Sequence, residues 1–212
     1  MQKTGRLELT WVGKYDEKVI EPRILLEDQS KSYGDLSSGN MLIHGDNLIA
    51  LQALQQDFAG KIKCIYIDPP YNTGSAFEYY DDNVEHSTWL SLMKSRLVLL
   101  HQLLSDNGTL FIQIDDNEQA YLKVLCDEIF GRQSYINMVS VNAKVSAGAS
   151  GGGEDKRLKK NIEYILIYAK DINNFEPFRP VYKKTELMTY IQRMKEDNKS
   201  FKYTTVLYRC EN

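Results

Sequence analysis

With 212 residues, 42% of them hydrophobic and 11% aromatic, the chain has enough apolar material for one substantial core, which excludes disorder throughout. No apolar run approaches the roughly 20 residues that a bilayer span needs, and Met1 to Thr10 is too polar for a signal peptide, so a cytoplasmic protein with no membrane partner is expected. The net charge of −3 hides an uneven distribution: Lys144 to Arg209 holds 14 Lys and Arg against 8 Asp and Glu, a basic second part after an acidic first part.

In chain order, Trp11-Val12-Gly13 suggests a hairpin and Ser30 to Asn40 a loop. Met41-Leu42-Ile43-His44, stopped by Gly45, has the pattern of a short strand. Leu48, Leu51, Leu54 and Phe58 then recur at helical spacing, with Asp46 or Asn47 placed to cap the helix. Cys64-Ile65-Tyr66-Ile67 is a second strand, and Asp68-Pro69-Pro70 must end it, because proline has no amide proton to give a sheet ladder. Asn72 to His86 is polar and loop-like. Ser87 or Thr88 opens a long amphipathic helix through Trp89, Leu92, Met93, Leu97, Leu100 and Leu104, which Asn107-Gly108 ends. Thr109 to Ile114 is a strand. Asp115 and Glu118 are spaced as a capping box before a helix carrying Tyr121, Leu125, Ile129 and Phe130, closed by Gly131. Strands at Tyr135 to Val141 and Glu163 to Tyr168 flank a glycine-rich, basic connector, Asn142 to Lys160. A helix through Leu187, Ile191 and Met194 and a strand over Phe201 to Tyr208 complete the pattern. This alternation predicts an α/β fold with a mostly parallel sheet and helices on both faces, whose ligands sit beyond the C-terminal strand ends.

Asp68-Pro69-Pro70-Tyr71 lies at such an end. As a bare tetrapeptide it can be a rigid turn whose Asp caps backbone amides and whose Tyr packs on the core. It also suits a definite chemistry. An exocyclic amino group on a base is a poor nucleophile, because its lone pair is delocalised into the ring. If the Asp68 carboxylate takes one amino hydrogen and the Pro69 carbonyl the other, the nitrogen is drawn toward a tetrahedral shape and its lone pair is freed. Pro70 stiffens the turn, and Tyr71 offers a flat face on which an extruded base can stack. Asp115, Asp116 and Glu118 resemble a metal or acid–base cluster, but a helix cap explains their spacing without chemistry. His44, His86 and His101 have no second ligand at diagnostic spacing, and Cys64, Cys126 and Cys210 are widely separated, so no metal site is expected.

Four strings occur in order: Leu42-Ile43-His44-Gly45-Asp46-Asn47-Leu48, Asp68-Pro69-Pro70-Tyr71-Asn72-Thr73-Gly74, Gly108-Thr109-Leu110-Phe111-Ile112-Gln113-Ile114-Asp115-Asp116-Asn117-Glu118 and Asn161-Ile162-Glu163-Tyr164-Ile165-Leu166-Ile167-Tyr168-Ala169-Lys170. Through them, Met41 to Lys170 is similar to adenine-N6 DNA methyltransferases that use S-adenosylmethionine, especially the modification subunits of type III restriction-modification systems. The resemblance implies a partial Rossmann-like methyltransferase sheet. It implies that Asp68, Pro69, Pro70 and Tyr71 form the target-amino pocket, and that Asp46, with Asn47 and Asp68, faces the cofactor, S-adenosylmethionine. Physically, a carboxylate at a strand lip can accept amino hydrogens, and helix-start amides near Asn47 and Leu48 can donate to ring nitrogens; Asp46 as a simple helix cap is the other reading.

The implied organisation is an N-terminal extension over 1-40, a partial catalytic domain over 41-170, and the start of a target-recognition or linker region over 171-212. Asn72, Lys144, Lys159 and Lys160 are candidates for DNA contacts, the lysines to phosphate, as against a solvated loop. Implied partners are double-stranded DNA with a flipped adenine, a restriction subunit and a second modification subunit. The family's Phe-x-Gly-x-Gly loop for the cofactor's methionine end does not occur in these 212 residues, so the sheet is expected to be incomplete and the chain alone to transfer no methyl group. Rival readings are a cytosine-N4 or RNA amino methyltransferase, and a catalytically dead DNA-binding or assembly subunit.

Overall fold

The computed structural model describes residues 8–16, 21, 23–72, 85–142, 162–180 and 186–198. The chain divides into two units, Met1–Glu176 and Pro177–Asn212. The first holds helix α1 (Asn47–Phe58), strand β1 (Ile62–Ile67), helix α2 (His86–Leu103), strand β2 (Leu104–Ile114), helix α3 (Gln119–Phe130) and strands β3 (Tyr135–Asn142) and β4 (Ile162–Ala169). The second holds helix α4 (Leu187–Glu196), where the periodicity of Leu187, Ile191 and Met194 predicts it. Phe201 to Tyr208 lie outside the described residues.

The fold is α/β as expected, but the four described strands form a mixed sheet rather than a mostly parallel one. Their order is β1-β2-β4-β3. β1 and β2 are parallel, whereas β4 is antiparallel to both β2 and β3. The connections account for this. A parallel pair needs a crossover, and α2 supplies one between β1 and β2; the sequence between β3 and β4 has no helical periodicity, and those strands pair as antiparallel neighbours.

Helices on both faces were also expected. Among the described residues α1 packs on α2 and α2 on α3, with α2 touching β2 and α3 touching β4. Periodicity dictates what they bury. Leu110, Ile112 and Ile114 alternate along β2 and stand opposite Tyr168, Leu166 and Tyr164 of β4. Over them lie Trp89, Met93 and Leu97 of α2 and Leu122, Leu125 and Cys126 of α3, all buried. The opposite face leaves Tyr66 55% exposed.

Two local expectations fail for identifiable reasons. Met41 to His44 is not a strand: Leu42 is 99% exposed, and β1, the nearest strand in sequence, pairs only with β2 among the described residues. An apolar run without a neighbour cannot satisfy a sheet ladder. Asn107-Gly108 does not end α2 either, because β2 begins at Leu104, immediately after the helix. The β1–β2 register slips between Ile62, opposite Leu104, and Cys64, opposite Thr109, so Gly108 lies inside an irregular stretch of strand. A Cβ there would stand 2.8 Å from the Ile62 carbonyl oxygen, which makes glycine necessary at this close approach.

The helix starts are held by side chains. Asp46 caps α1, and Glu85, rather than Ser87 or Thr88, caps α2 by accepting from the Ser87 amide at 3.1 Å. The expected hairpin at Trp11 is instead a pair of overlapping turns, Lys14 N donating to Trp11 O at 3.3 Å and Asp16 N to Gly13 O at 3.1 Å. It is fastened to the core layer: the Trp11 indole donates to Ser91 Oγ at 2.8 Å, and buried Lys14 reaches Glu128 of α3 at 2.8 Å. No helix among the described residues is long and apolar enough to cross a membrane.

Candidate active site

The site begins where β1 stops. Asp68 is exposed at the strand end, and among the described residues neither its carboxylate nor the Pro69 carbonyl oxygen has a hydrogen-bond partner. The next three residues are the reverse case. The indole of Trp89, itself fully buried in α2, donates to the Pro70 carbonyl at 2.8 Å. The Tyr71 hydroxyl donates to Glu163 Oε2 at 3.0 Å, while its half-buried ring packs against the core. Asn72 takes a left-handed backbone conformation, φ 58°, and its side-chain amide donates to Glu118 Oε1 at 2.7 Å. Asparagine tolerates that conformation better than most residues.

Each carboxylate is held in turn. Glu163 Oε2 also accepts from Gln113 Nε2 at 2.7 Å, and Gln113 Oε1 accepts from the Tyr66 hydroxyl, so a hydrogen-bonded row crosses β1, β2 and β4 at one edge of the sheet. Glu118, 3% exposed, lies 2.9 Å from His86 Nδ1, and the His86 ring meets the edge of Tyr121 with centroids 4.3 Å apart. Burial, followed by the bond to Glu163, pushes the Tyr71 phenol well above its usual range, so it stays a neutral donor.

The capping box expected of Asp115 and Glu118 does not form. Glu118 precedes α3 without capping it, because its carboxylate is turned toward Asn72 and His86. Asp115 instead folds back on Asn117, accepting from its backbone amide at 2.9 Å and its side chain at 2.8 Å. Among the described residues no group of three or more His, Cys, Asp and Glu is placed to hold a metal ion.

Asp46 is exposed at the start of α1, and its Oδ1 accepts from the amides of Leu48 at 2.9 Å and Ile49 at 3.2 Å. The Leu48 amide, a candidate donor to a ligand, is thereby engaged. Asn47 Oδ1 accepts from Arg96 Nε at 2.7 Å. Lys144, Lys159 and Lys160 lie outside the described residues.

Periodicity and motif reading missed Trp89, Gln113, Glu118 and Glu163 as neighbours of the tetrapeptide. Glu163 carried a signal, being the sole charge in Ile162–Ala169. A carboxylate inside an apolar strand needs donors, and here they come from Tyr71 and Gln113. Trp89 carried none, since its helical spacing already explained it as core.

The family model of N6/N4 DNA methylases matches residues 62–210. The chain is 48% identical over 168 residues to the probable type III restriction-modification enzyme HindVI Mod subunit of Haemophilus influenzae, covering 79% of this chain and 22% of that one. It is 33% identical over 200 residues to the EcoP15I Mod subunit of Escherichia coli, covering 77% and 30%, and 37% identical over 152 residues to the type II methyltransferase M.KpnI of Klebsiella pneumoniae, covering 68% and 36%. It thus spans between about a fifth and somewhat over a third of the length of these relatives. With the match running from β1 through all four strands and over more than half of its length, this chain belongs to the N6/N4 family of DNA methylases.

Proposed function

We propose that this chain carries the target-amine pocket of a DNA adenine-N6 methyltransferase of a restriction-modification system. The observation that carries the reading is the contrast within one turn. Asp68 and Pro69 present two adjacent oxygens without partners among the described residues, while Pro70, Tyr71 and Asn72 are each tied to a different element. Two fixed acceptors on a stiff turn are what an exocyclic amine needs: each takes one hydrogen, and the nitrogen lone pair is turned out of conjugation for attack. Tyr71, fixed at its hydroxyl, offers a ring against which an extruded adenine can stack, and extrusion is required because an amine inside the duplex has no open line of attack.

S-adenosylmethionine, when bound, supplies the electrophilic methyl group. The residues fit it in part. Asp46 Oδ2 is exposed with no partner among the described residues, which suits a ligand's amino or hydroxyl hydrogens, whereas the neighbouring amide of Leu48 is engaged by Oδ1. Asp46, Asn47 and Asp68 are the residues we assign to it. The relatives' names add two proposed partners, duplex DNA and a restriction subunit, and the whole reaction belongs to a protein of the relatives' length. Within that assignment, residues 41–170 act as the catalytic part, 1–40 as an extension and 171–212 as the beginning of target recognition. Asn72, Lys144, Lys159 and Lys160 remain the candidates for DNA contact.

The test is Asp68→Ala in the full-length enzyme, followed by transfer of a radiolabelled methyl group to DNA and nucleoside analysis of the product. Transfer should fall at least about 100-fold, as when a preorganised polar partner is removed, with the melting temperature unchanged because Asp68 is exposed. Wild-type product should be N6-methyladenine; near-normal turnover of the variant refutes the role of Asp68, and N4-methylcytosine refutes the choice of base.

A further inference from the structure

Glu163 has no part in gripping the amine, yet it holds the residue proposed to receive the base. It enters β4 as the sole charge among Ile162–Ala169, and one of its oxygens accepts from both the Tyr71 hydroxyl and Gln113 Nε2. Gln113 is itself oriented by Tyr66. The carboxylate is therefore fixed from the strand side before it reaches Tyr71, and the tether comes from a strand 92 residues away in sequence.

We infer that Glu163 is a positioning residue: acting through Tyr71, it fixes the plane of the aromatic ring at the target pocket. The inference rests on the proposed methyltransferase reading. A phenol free to swing about its side-chain torsions presents many planes to an incoming base. A phenol bonded at its far end to a carboxylate, and packed on the core along its body, presents one. A base stacked on that single plane places its amine between Asp68 and Pro69 in each encounter, so the benefit appears in the rate of the bound complex. A carboxylate is the suitable anchor because it accepts from two donors at once and leaves the tyrosine proton no alternative orientation.

A purely structural role, in which Glu163 merely closes the sheet edge, predicts a different pattern, and a double-mutant cycle separates the two. Glu163→Ala, Tyr71→Phe and the double variant are compared for kcat and KM in methyl transfer to duplex DNA by the full-length enzyme, with the melting temperature of each recorded. Each single variant should lose about ten-fold in kcat with KM for S-adenosylmethionine unchanged. The double variant should lose no more than either single one, since both remove the same contact. Glu163→Gln, which keeps an accepting oxygen, should recover most of the rate; if Glu163→Ala does not fold, Glu163→Leu, which also removes the acceptor but suits an apolar strand, takes its place in the cycle. Losses that multiply to about 100-fold in the double variant, or full kcat in Glu163→Ala, overturn the inference. Asp68→Ala in the same assay reports on the methyltransferase reading separately, because neither Glu163 nor Tyr71 is hydrogen-bonded to the Asp68 carboxylate.

Discussion

Two carboxylates, Asp46 and Asp68, follow apolar runs and look alike in sequence, yet the structure treats them differently. Asp68 ends a strand that is paired along its length, and its carboxylate has no partner among the described residues. Asp46 follows residues that form no strand, and one of its oxygens is already engaged by two amides of α1. The same side chain is thus presented outward in one place and turned inward as a cap in the other. Whether an aspartate at a strand-like terminus is available for chemistry depends on which amides its own backbone leaves unsatisfied. A helix that starts one residue later offers several, and a double proline offers none.

The contrast breaks most readily where the Asp68 turn is anchored. Trp89→Phe keeps an aromatic ring in the core but removes the donor to the Pro70 carbonyl and leaves a gap. A half-buried carbonyl without its partner costs about 1–3 kcal/mol and the lost volume adds to it, so a loss of about 2–4 kcal/mol is expected in urea denaturation. If the turn is rigid only through its prolines, the full-length enzyme will keep its kcat despite that loss; if the indole holds it, kcat will fall as well.

Gly108→Ala tests the frame under β1. The added methyl would lie 2.8 Å from the Ile62 oxygen and 2.9 Å from the Ser105 oxygen, both backbone atoms that cannot rotate away. Overpacking of this kind costs about 1–3 kcal/mol. Because β1 delivers Asp68 to the sheet edge, the variant should also broaden the amide resonances of Cys64 to Ile67 in NMR spectra. A loss below about 0.5 kcal/mol would show that the irregular stretch opposite Ile62 yields easily.

What could be read beforehand follows the same physical line. Local patterns of two and of 3.6 residues located α1, β1, α2, α3, β3 and β4, because each buries one face against a single core. The end of β1 before Asp68 was legible because two prolines there leave so few backbone options. Strand direction was not legible: β4 lies between β2 and β3, an arrangement that no local period encodes. Glu118 was misread for a similar reason. Its spacing from Asp115 matched a helix cap, but its partners, Asn72 and His86, are 46 and 32 residues away in sequence. Met41 to His44 carried the composition of a strand without a neighbour to pair with among the described residues.

The smallest expected effect is at Asp46, and it decides whether a cap can also serve a ligand. Asp46→Ala removes the acceptor for Leu48 and Ile49 and should cost about 1 kcal/mol in urea denaturation. Asp46→Asn keeps an oxygen for those amides and should cost close to nothing, yet it replaces the second, exposed oxygen with a donor. A cap alone therefore predicts that the asparagine variant matches wild type in both stability and cofactor titration by calorimetry in the full-length enzyme. A cap that also accepts hydrogens from S-adenosylmethionine predicts unchanged stability with binding weakened about ten-fold, the cost of leaving one polar pair mismatched. The two outcomes differ in a single atom, Oδ2, which is why the conservative replacement is more informative than the deletion.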